Sequence, residues 1–282
     1  MAQDPQRPVA NAKRTVFFVS DRTGITAETL GHSLLTQFDA TFEHVTLPFV
    51  DSPERAYLAI QQIEEANLAN GERSIVFSTV IDDQVRAILR SANAVVFDFF
   101  ETFIEPLEQE LKLPSSHMVG RSHGLVDNTM YDVRIDAMNY ALNHDDGVRT
   151  HLYSQADVIL VGVSRTGKTP SCIYLALQYG VYAANYPLTE DDLEEGGLPK
   201  ALEPYRNKLY GLTIQPQRLV QIRNERRPNS RYSSIRQCQY EIARAEALFK
   251  KENIPFVDTT TMSIEEIATT IMHERKIKRR VL

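Results

Sequence analysis

One stretch of the sequence carries the residue types and the spacing of a phosphate-binding loop. An apolar run leads into the pattern Gly-x-x-x-x-Gly-Lys-Thr, which begins at Gly162 and ends at Thr169. An apolar segment of helical character follows it. Backbone N–H groups between two such glycines can wrap an anion, and the new helix turns its positive end toward the same phosphates. The sequence therefore predicts a P-loop that binds a nucleotide or another phosphate compound.

Each part of this loop has an expected role. We expect Lys168 to place its ammonium against the outer phosphates and the Thr169 hydroxyl to bind Mg²⁺. The two glycines are expected because a side chain at either position would block the anion. The predicted phosphate-binding residues are Gly162, Val163, Ser164, Arg165, Thr166, Gly167, Lys168 and Thr169.

Composition limits the classes of protein to which the chain can belong. Its 282 residues suffice for two domains, and the net charge of -6 with a pI near 5.7 argues against general affinity for nucleic acid or a membrane surface. Two cysteines exclude a disulfide framework. The polar start lacks an apolar signal segment, and no apolar run approaches 18 residues. We expect a cytoplasmic protein without a membrane span.

Strand and helix patterns alternate along the first half of the chain. Strand patterns lie at 15–20, 45–50, 74–79 and 94–99, and helix patterns lie at 25–38, 53–70, 82–91 and 105–113. This alternation predicts a parallel sheet with helices on both faces. We predict a disordered tail over residues 1–14, an N-terminal parallel-sheet α/β domain over 15–149, and a P-loop kinase-like α/β domain over 150–282.

The second half continues the alternation after the loop. Further strand patterns lie at 181–186, 209–214 and 254–258, and a capping box at Ser263 precedes a last helix over 267–273. Residues 190–197 are acidic and contain glycine, which indicates an exposed loop. An amphipathic segment near residues 131–142 has the spacing of a helix and falls in the N-terminal domain.

Three groups outside the loop could also contribute chemistry. Asp21 follows the first strand, where ligands gather in parallel sheets, although residues 20–24 could equally form a helix cap. His123 lies between small residues and could act as an acid, a base or a phosphate ligand, or be purely structural. The turn Asp145-Asp146-Gly147 could end a helix or bind a metal ion.

Five arginines lie within fourteen positions of one another, at 223, 226, 227, 231 and 236. In P-loop kinases a mobile segment carries arginines over the transferring phosphate, where planar cations stabilise spreading charge. Arg223 and Arg227 are therefore candidate clamps. A solvated basic face would produce the same pattern.

A phosphate-binding loop leaves three functions open: a phosphotransferase, a GTPase-type switch and a nucleotide sensor. The sequence lacks an Asn-Lys-x-Asp motif for guanine, and its one Asp-x-x-Gly, which starts at Asp21, precedes the loop instead of following it. The arginine cluster and the final strand and helix favour a kinase over a sensor.

Three segments together resemble the family of phosphoenolpyruvate synthase and pyruvate,phosphate dikinase regulatory proteins. These are residues 20–28, residues 134–137 with 145–147, and the extended loop at 162–170. The resemblance covers nearly the whole chain after the tail. Gly167 and Cys172 favour the branch that acts on the synthase.

The resemblance implies a bifunctional enzyme. Such proteins phosphorylate a threonine beside the catalytic histidine of their target with ADP as donor, and they remove that phosphate with inorganic phosphate, releasing pyrophosphate. With this resemblance we expect catalytic roles for Lys168, for Asp21 as a base or orienting group for the target threonine, for His123 as helper, and for Arg223 and Arg227 as clamps. ADP, inorganic phosphate and Mg²⁺ are the implied ligands, and a homodimer is expected by analogy. The alternatives are a dikinase target or a small-molecule kinase of the nucleotide or shikimate type.

Overall fold

The computed structural model describes residues 14–116 and 128–281, which form two compact units divided between these ranges. The predicted tail and the segment around His123 lie outside the described residues. Both units are α/β, and each contains a four-stranded parallel sheet, as predicted. Within the described residues, no helix is long and apolar enough to cross a bilayer.

The first unit is a regular alternation of strands and helices. Its elements are β1 (Arg14–Val19), α1 (Ile25–Leu35), β2 (Phe42–Leu47), α2 (Pro53–Asn70), β3 (Ser74–Ser78), α3 (Asp83–Arg90), β4 (Ala94–Asp98) and α4 (Phe99–Leu111). The strand order is β2-β1-β3-β4. Successive residues of β1 point to opposite faces of the sheet, so that Phe17 packs in one hydrophobic cluster and Phe18 in another.

The second unit repeats this strand order. Its elements are α5 (Asn128–Asn143), β5 (Val158–Gly162), α6 (Lys168–Tyr179), β6 (Ala183–Pro187), α7 (Glu190–Glu195), β7 (Leu209–Thr213), α8 (Pro216–Arg226), α9 (Ile235–Lys251), β8 (Phe256–Asp258) and α10 (Ile264–Glu274). Short 3₁₀ turns occur at Asp145–Gly147, Thr150–Gln155, Glu203–Lys208 and Arg231–Ser233. The order β6-β5-β7-β8 places β5 inside the sheet. Its residues are fully buried, and Ile159 and Leu160 face separate hydrophobic clusters.

Helix α5 belongs to the second unit, although the sequence analysis placed it in the first domain. Its buried alanines Ala137 and Ala141 share a hydrophobic cluster with Cys172 and Ala176 of α6. Small side chains let two helices approach closely, so this packing places the unit boundary before α5 and not near residue 149. Both cysteines, Cys172 and Cys238, are free and buried, and burial raises the pKa of each thiol.

Several local predictions differ from the structure for identifiable reasons. Strand β2 ends at Leu47 instead of near residue 50, because Pro48 has no N–H for a further ladder bond. Helix α4 starts directly after β4, where the Asp98 carboxylate accepts a bond from the Glu101 N–H at 3.0 Å. The predicted acidic loop instead forms α7, which a capping box at Thr189 begins.

Helix α9 was not predicted at all. Its abundance of charged and amide side chains hides an apolar face, formed by residues at helical spacing: Cys238, Ile242, Ala245 and Phe249. Helix α2 was predicted closely, from the cap at Ser52 to the end at Gly71. Helix α6 likewise ends at Gly180, which adopts a left-handed conformation.

Candidate functional site

The Gly162–Thr169 segment, called the glycine loop below, joins β5 to α6 with the strand–loop–helix geometry that its motif requires. The backbone is left-handed at Gly167, with φ of 89°, and also at Arg165, with φ of 78°. Within the described part of the chain, the N–H groups of residues 164–169 have no hydrogen-bond acceptor. Unpaired N–H groups at a helix start are ready to bind an anion.

The two glycines of the loop serve different purposes. A Cβ at Gly162 would lie 2.4 Å from the Leu212 carbonyl oxygen of β7, so this glycine permits close approach of a neighbouring strand. At Gly167 a Cβ would meet nothing within 4 Å, and the residue is glycine because of its left-handed backbone. That a side chain at either position would also block an anion stays a prediction.

Lys168 lies beneath the loop with only 5% of its surface exposed. Its Nζ donates to the Val163 carbonyl oxygen at 2.8 Å, and the Thr166 hydroxyl donates to the same oxygen at 3.1 Å. Burial lowers the pKa of Lys168 to about 8, opposed by the carboxylates of Asp145 and Asp146. A buried ammonium at the floor of the loop is suited to pair with a phosphate.

The acidic turn that follows α5 lies against the glycine loop. The Thr169 hydroxyl donates to Asp145 Oδ1 at 2.8 Å, and the side-chain amide of Asn185 donates to the same atom. Asn185 is buried on β6, and its side-chain oxygen accepts from the Asp146 N–H at 3.1 Å. The sequence analysis had left this turn as either a helix end or a metal site, and the structure places its Asp145 carboxylate beside the Thr169 hydroxyl.

These oxygens fit the preference of Mg²⁺ for hard ligands. A hydroxyl and a carboxylate lie together beside a loop with free N–H groups, which is the donor set used with nucleotide phosphates. Among the described residues, no three His, Cys, Asp or Glu side chains cluster closely enough to hold a metal ion. A bound Mg²⁺ would therefore take its remaining ligands from phosphate oxygens and water.

The glycine loop forms one end of a cavity of about 530 Å³. Helix α8 lines one side of the cavity and is held at both ends. Its Arg223 donates to the glycine loop, and the Gln215 N–H, just before α8, donates to Thr260 Oγ1 at 2.8 Å. Apolar side chains also line the cavity: Ile214, Ile222, Met262, Ile264 and Ile267. The Thr259 hydroxyl, next to Thr260, donates to the Thr166 carbonyl oxygen of the glycine loop at 3.3 Å. The cavity thus combines a polar, cationic lining with an apolar wall.

The predicted Arg165 lines this cavity, but the two arginines predicted as clamps do not. Arg223 is fully buried and forms an ion pair with Glu241 Oε2 at 2.6 Å, so its positive charge is already balanced within the protein. Arg227 is exposed and is not among the lining residues. Arg218 and Arg226 line the cavity instead, one helical turn on either side of Ile222. Their spacing of eight residues, about two helical turns, was visible in the sequence.

Asp21 lies in the first unit at the carboxyl end of β1. It is 5% exposed, and its Oδ2 accepts from the Ile81 N–H at 3.1 Å. Burial raises the pKa of Asp21, while the Ile81 N–H and Arg22 act in the opposite direction. A buried carboxylate with a raised pKa is suited to accept a proton. His123 lies outside the described residues, and its role stays a prediction.

Comparison with known proteins places this chain among close relatives. A phosphoenolpyruvate synthase regulatory protein of Alkalilimnicola ehrlichii is 66% identical over 97% of this chain and 100% of its own length. Proteins with the same name from Halorhodospira halophila and Pseudomonas aeruginosa are 63% and 54% identical, each over 95% of this chain and 98% of its own length. The model of the kinase/pyrophosphorylase family matches residues 16–272. The chain therefore belongs to the kinase/pyrophosphorylase family.

Proposed function

We propose that the protein is a bifunctional regulatory enzyme that phosphorylates and dephosphorylates a threonine of phosphoenolpyruvate synthase. One observation carries the proposal: the unpaired N–H groups of the glycine loop, with buried Lys168 beneath them, form the polar end of a cavity large enough for a nucleotide. The family description, which joins a kinase to a pyrophosphorylase, supports chemistry in both directions.

The donor in this proposal is ADP. Its phosphates would lie in the glycine loop against Lys168, and its base would pack on the apolar wall, which includes Ile222 and Met262. Arg218 and Arg226 lie along the same wall and are the cations placed to meet a nucleotide. Thr169 and Asp145 would hold Mg²⁺, which neutralises phosphate charge when bound.

In the forward direction, the threonine hydroxyl oxygen bonds to the β-phosphorus of ADP while the bond from that phosphorus to the bridging oxygen breaks, and AMP leaves. The threonine proton must pass to a base. We assign this role to Asp21, because its carboxylate is buried at the carboxyl end of a strand. Lys168 and the loop N–H groups stabilise the charge that develops on the phosphoryl oxygens.

In the reverse direction, an oxygen of inorganic phosphate bonds to the phosphorus of phosphothreonine, and the bond from phosphorus to the threonine oxygen breaks. The products are pyrophosphate and a threonine hydroxyl, which takes up a proton. The glycine loop serves both directions, since it would bind a phosphate group in each.

The partner follows from the names of the relatives. Three relatives that are 54–66% identical are named for regulation of phosphoenolpyruvate synthase, which favours the synthase over the dikinase as the target. A small-molecule kinase is the remaining alternative, because a cavity with a glycine loop would also suit a metabolite acceptor.

The test is incubation of the full chain with purified phosphoenolpyruvate synthase and either ADP or ATP, followed by mass spectrometry of the synthase. We expect one phosphoryl group on one threonine with ADP, and its removal with release of pyrophosphate after addition of phosphate. Parallel reactions with dikinase and with a metabolite panel distinguish the alternatives. An unmodified synthase alongside a phosphorylated metabolite would refute the proposal.

A further inference from the structure

Arg223 makes contacts that join three segments around the glycine loop. Its Nη2 donates to the Ser164 carbonyl oxygen at 3.1 Å and to Glu241 Oε2 at 2.6 Å, and its Nη1 donates to the Tyr232 carbonyl oxygen at 3.0 Å. The guanidinium also lies 4.2 Å from the centre of the Tyr232 ring. The Ser164 carbonyl oxygen is thus held by a guanidinium that is itself fixed by three other contacts.

Ser164 is held a second time through its side chain. Its hydroxyl lies 2.9 Å from the Tyr232 hydroxyl. The anchoring carboxylate is itself fixed, because Gln237 donates to the other oxygen of Glu241 at 3.0 Å. Both oxygens of Ser164 are therefore engaged by groups that do not line the nucleotide-sized cavity.

The direction of the Ser164 carbonyl determines the direction of the next N–H. In a trans peptide unit the C=O and N–H bonds point in opposite directions, so a carbonyl turned toward Arg223 turns the Arg165 N–H away from it. That N–H has no acceptor in the described residues, and Arg165 itself lines the cavity. Arg165 also has a left-handed backbone, with φ of 78°, a conformation that is unfavourable for a residue with a Cβ.

We propose that Arg223, Tyr232 and Glu241 are positioning residues that hold the peptide unit joining Ser164 and Arg165 with its N–H directed at the bound phosphate. This inference rests on the proposed nucleotide binding at the glycine loop and explains why a buried arginine is needed there. Arg223 then acts through the loop backbone and does not touch the phosphate. The network also supports the strained backbone at Arg165, since strained residues persist only where their surroundings fix them.

The experiment measures ADP and pyrophosphate affinity by calorimetry for the full chain and for Ser164→Ala, Tyr232→Phe and the double variant. Each single variant removes one hydroxyl of the pair and leaves the Arg223 contacts in place. We expect each to weaken ADP binding about fivefold, the value of one ordinary hydrogen bond. The double variant should also lose about fivefold, because both changes remove the same bond.

Two further measurements distinguish a role in positioning the loop backbone from a general loss of protein structure. Pyrophosphate, which lacks the nucleoside, should lose affinity by the same factor as ADP, because the change lies in the glycine loop. Tyr240→Phe is the matched control: Arg244 also lies over its ring, at 6.0 Å, but its hydroxyl has no partner among the described residues. This control should bind ADP as the wild type does.

The outcomes distinguish this inference from the proposed function. Normal ADP affinity in Tyr232→Phe, or a double variant whose loss is the product of the two single losses, overturns the positioning role while leaving nucleotide binding intact. A wild-type protein that binds neither ADP nor pyrophosphate overturns both. Variants of Arg223 or Glu241 are avoided as the primary test, because removing one partner of a buried ion pair can unfold the protein.

Discussion

The loop after β1 and the glycine loop after β5 occupy the same place in two sheets of the same strand order. Five residues separate strand from helix in each unit, and both loops contain Arg-Thr-Gly followed, after one residue, by threonine. Each ends in a left-handed glycine, Gly24 with φ of 83° and Gly167 with φ of 89°. The two loops thus share their length and their final glycine, although the backbone is left-handed at Arg165 and not at the equivalent Arg22.

Two of the side-chain differences between the loops change a charge. Where the second unit has buried Lys168, the first has Ile25, which is 60% exposed. Where the second has Ser164, the first has the buried carboxylate of Asp21. Equal loop length and a shared glycine therefore do not make the two loops equivalent toward ligands. We expect an anion to be attracted to the loop with buried Lys168 and repelled by the loop with the Asp21 carboxylate.

The first prediction removes the positive charge of Lys168, which the loop after β1 lacks. Lys168→Met should weaken ADP binding and both transfer directions by about 100-fold or more, because a preorganised charged donor is lost from the phosphate site. Calorimetry and the synthase phosphorylation assay measure the two effects. Ile25→Met is the matched control at the equivalent position and should retain ADP affinity. Loss of only one transfer direction in Lys168→Met would mean that the two reactions use separate sites.

The second prediction tests the charge of the other loop. Asp21→Asn should slow transfer about 100-fold while ADP affinity changes little, because a general base is lost and the glycine loop is not. Asp98→Asn is the control, since Asp98 is also buried at the carboxyl end of a strand in this sheet but caps α4. Unchanged turnover in Asp21→Asn would remove Asp21 from the reaction.

The third prediction uses the opposite pKa shifts of Lys168, which is lowered, and Asp21, which is raised. The Lys168 pKa of about 8 lies below its usual value, so the protein loses the ammonium, and with it ADP affinity, as pH rises above about 8. The loss should approach about tenfold per pH unit. Asp21 must be ionised to accept a proton, so transfer should fall as pH drops through its raised pKa.

Calorimetry across pH measures the alkaline loss of ADP affinity, and rate measurements across pH measure the acidic loss of transfer. Bound phosphate favours the ammonium, so ADP binding should take up protons above pH 8. Lys168→Arg provides the control, because a guanidinium stays charged throughout this range. A pH profile of ADP affinity that keeps its alkaline fall in Lys168→Arg would assign that fall to another group.

The fourth and smallest prediction compares the two left-handed glycines. Gly167→Ala should cost about 1 kcal/mol of unfolding free energy, because only the backbone conformation is strained. Gly24→Ala should cost about 2 kcal/mol, since its Cβ would also lie 2.9 Å from Thr46 Cγ2. Urea denaturation measures both. Thr46→Ser removes that methyl, so equal costs for Gly24→Ala with and without it would show that the contact is harmless.

The sequence alone predicted the features that depend on residues close together along the chain. The glycine loop, the cap at Ser52 and the parallel α/β architecture follow from spacing and periodicity, and the structure has each of these elements in place. Asp145 and Asn185 join the site only through tertiary packing, since 40 residues separate them in the chain. No local pattern indicated that Asn185 would fix the acidic turn.

The arginines show why the remaining site residues were missed. Arg223 and Arg226 differ by three positions on α8, yet one is buried in an ion pair and the other lines the cavity. Charge and spacing identified the segment, but the direction of each side chain depends on how α8 packs against α9. Tyr232 gave no signal, because its partner Ser164 lies 68 positions away.

The two buried cysteines have a practical consequence. Cys172 lies behind the glycine loop and Cys238 lies beside Arg223, and burial keeps both thiols in the protonated, unreactive form at neutral pH. Maleimide dyes should leave the native chain unlabelled. A single cysteine introduced at exposed Gln221, on α8, would then carry a fluorophore at one defined place, and its emission could follow nucleotide entry in real time without removal of either native thiol.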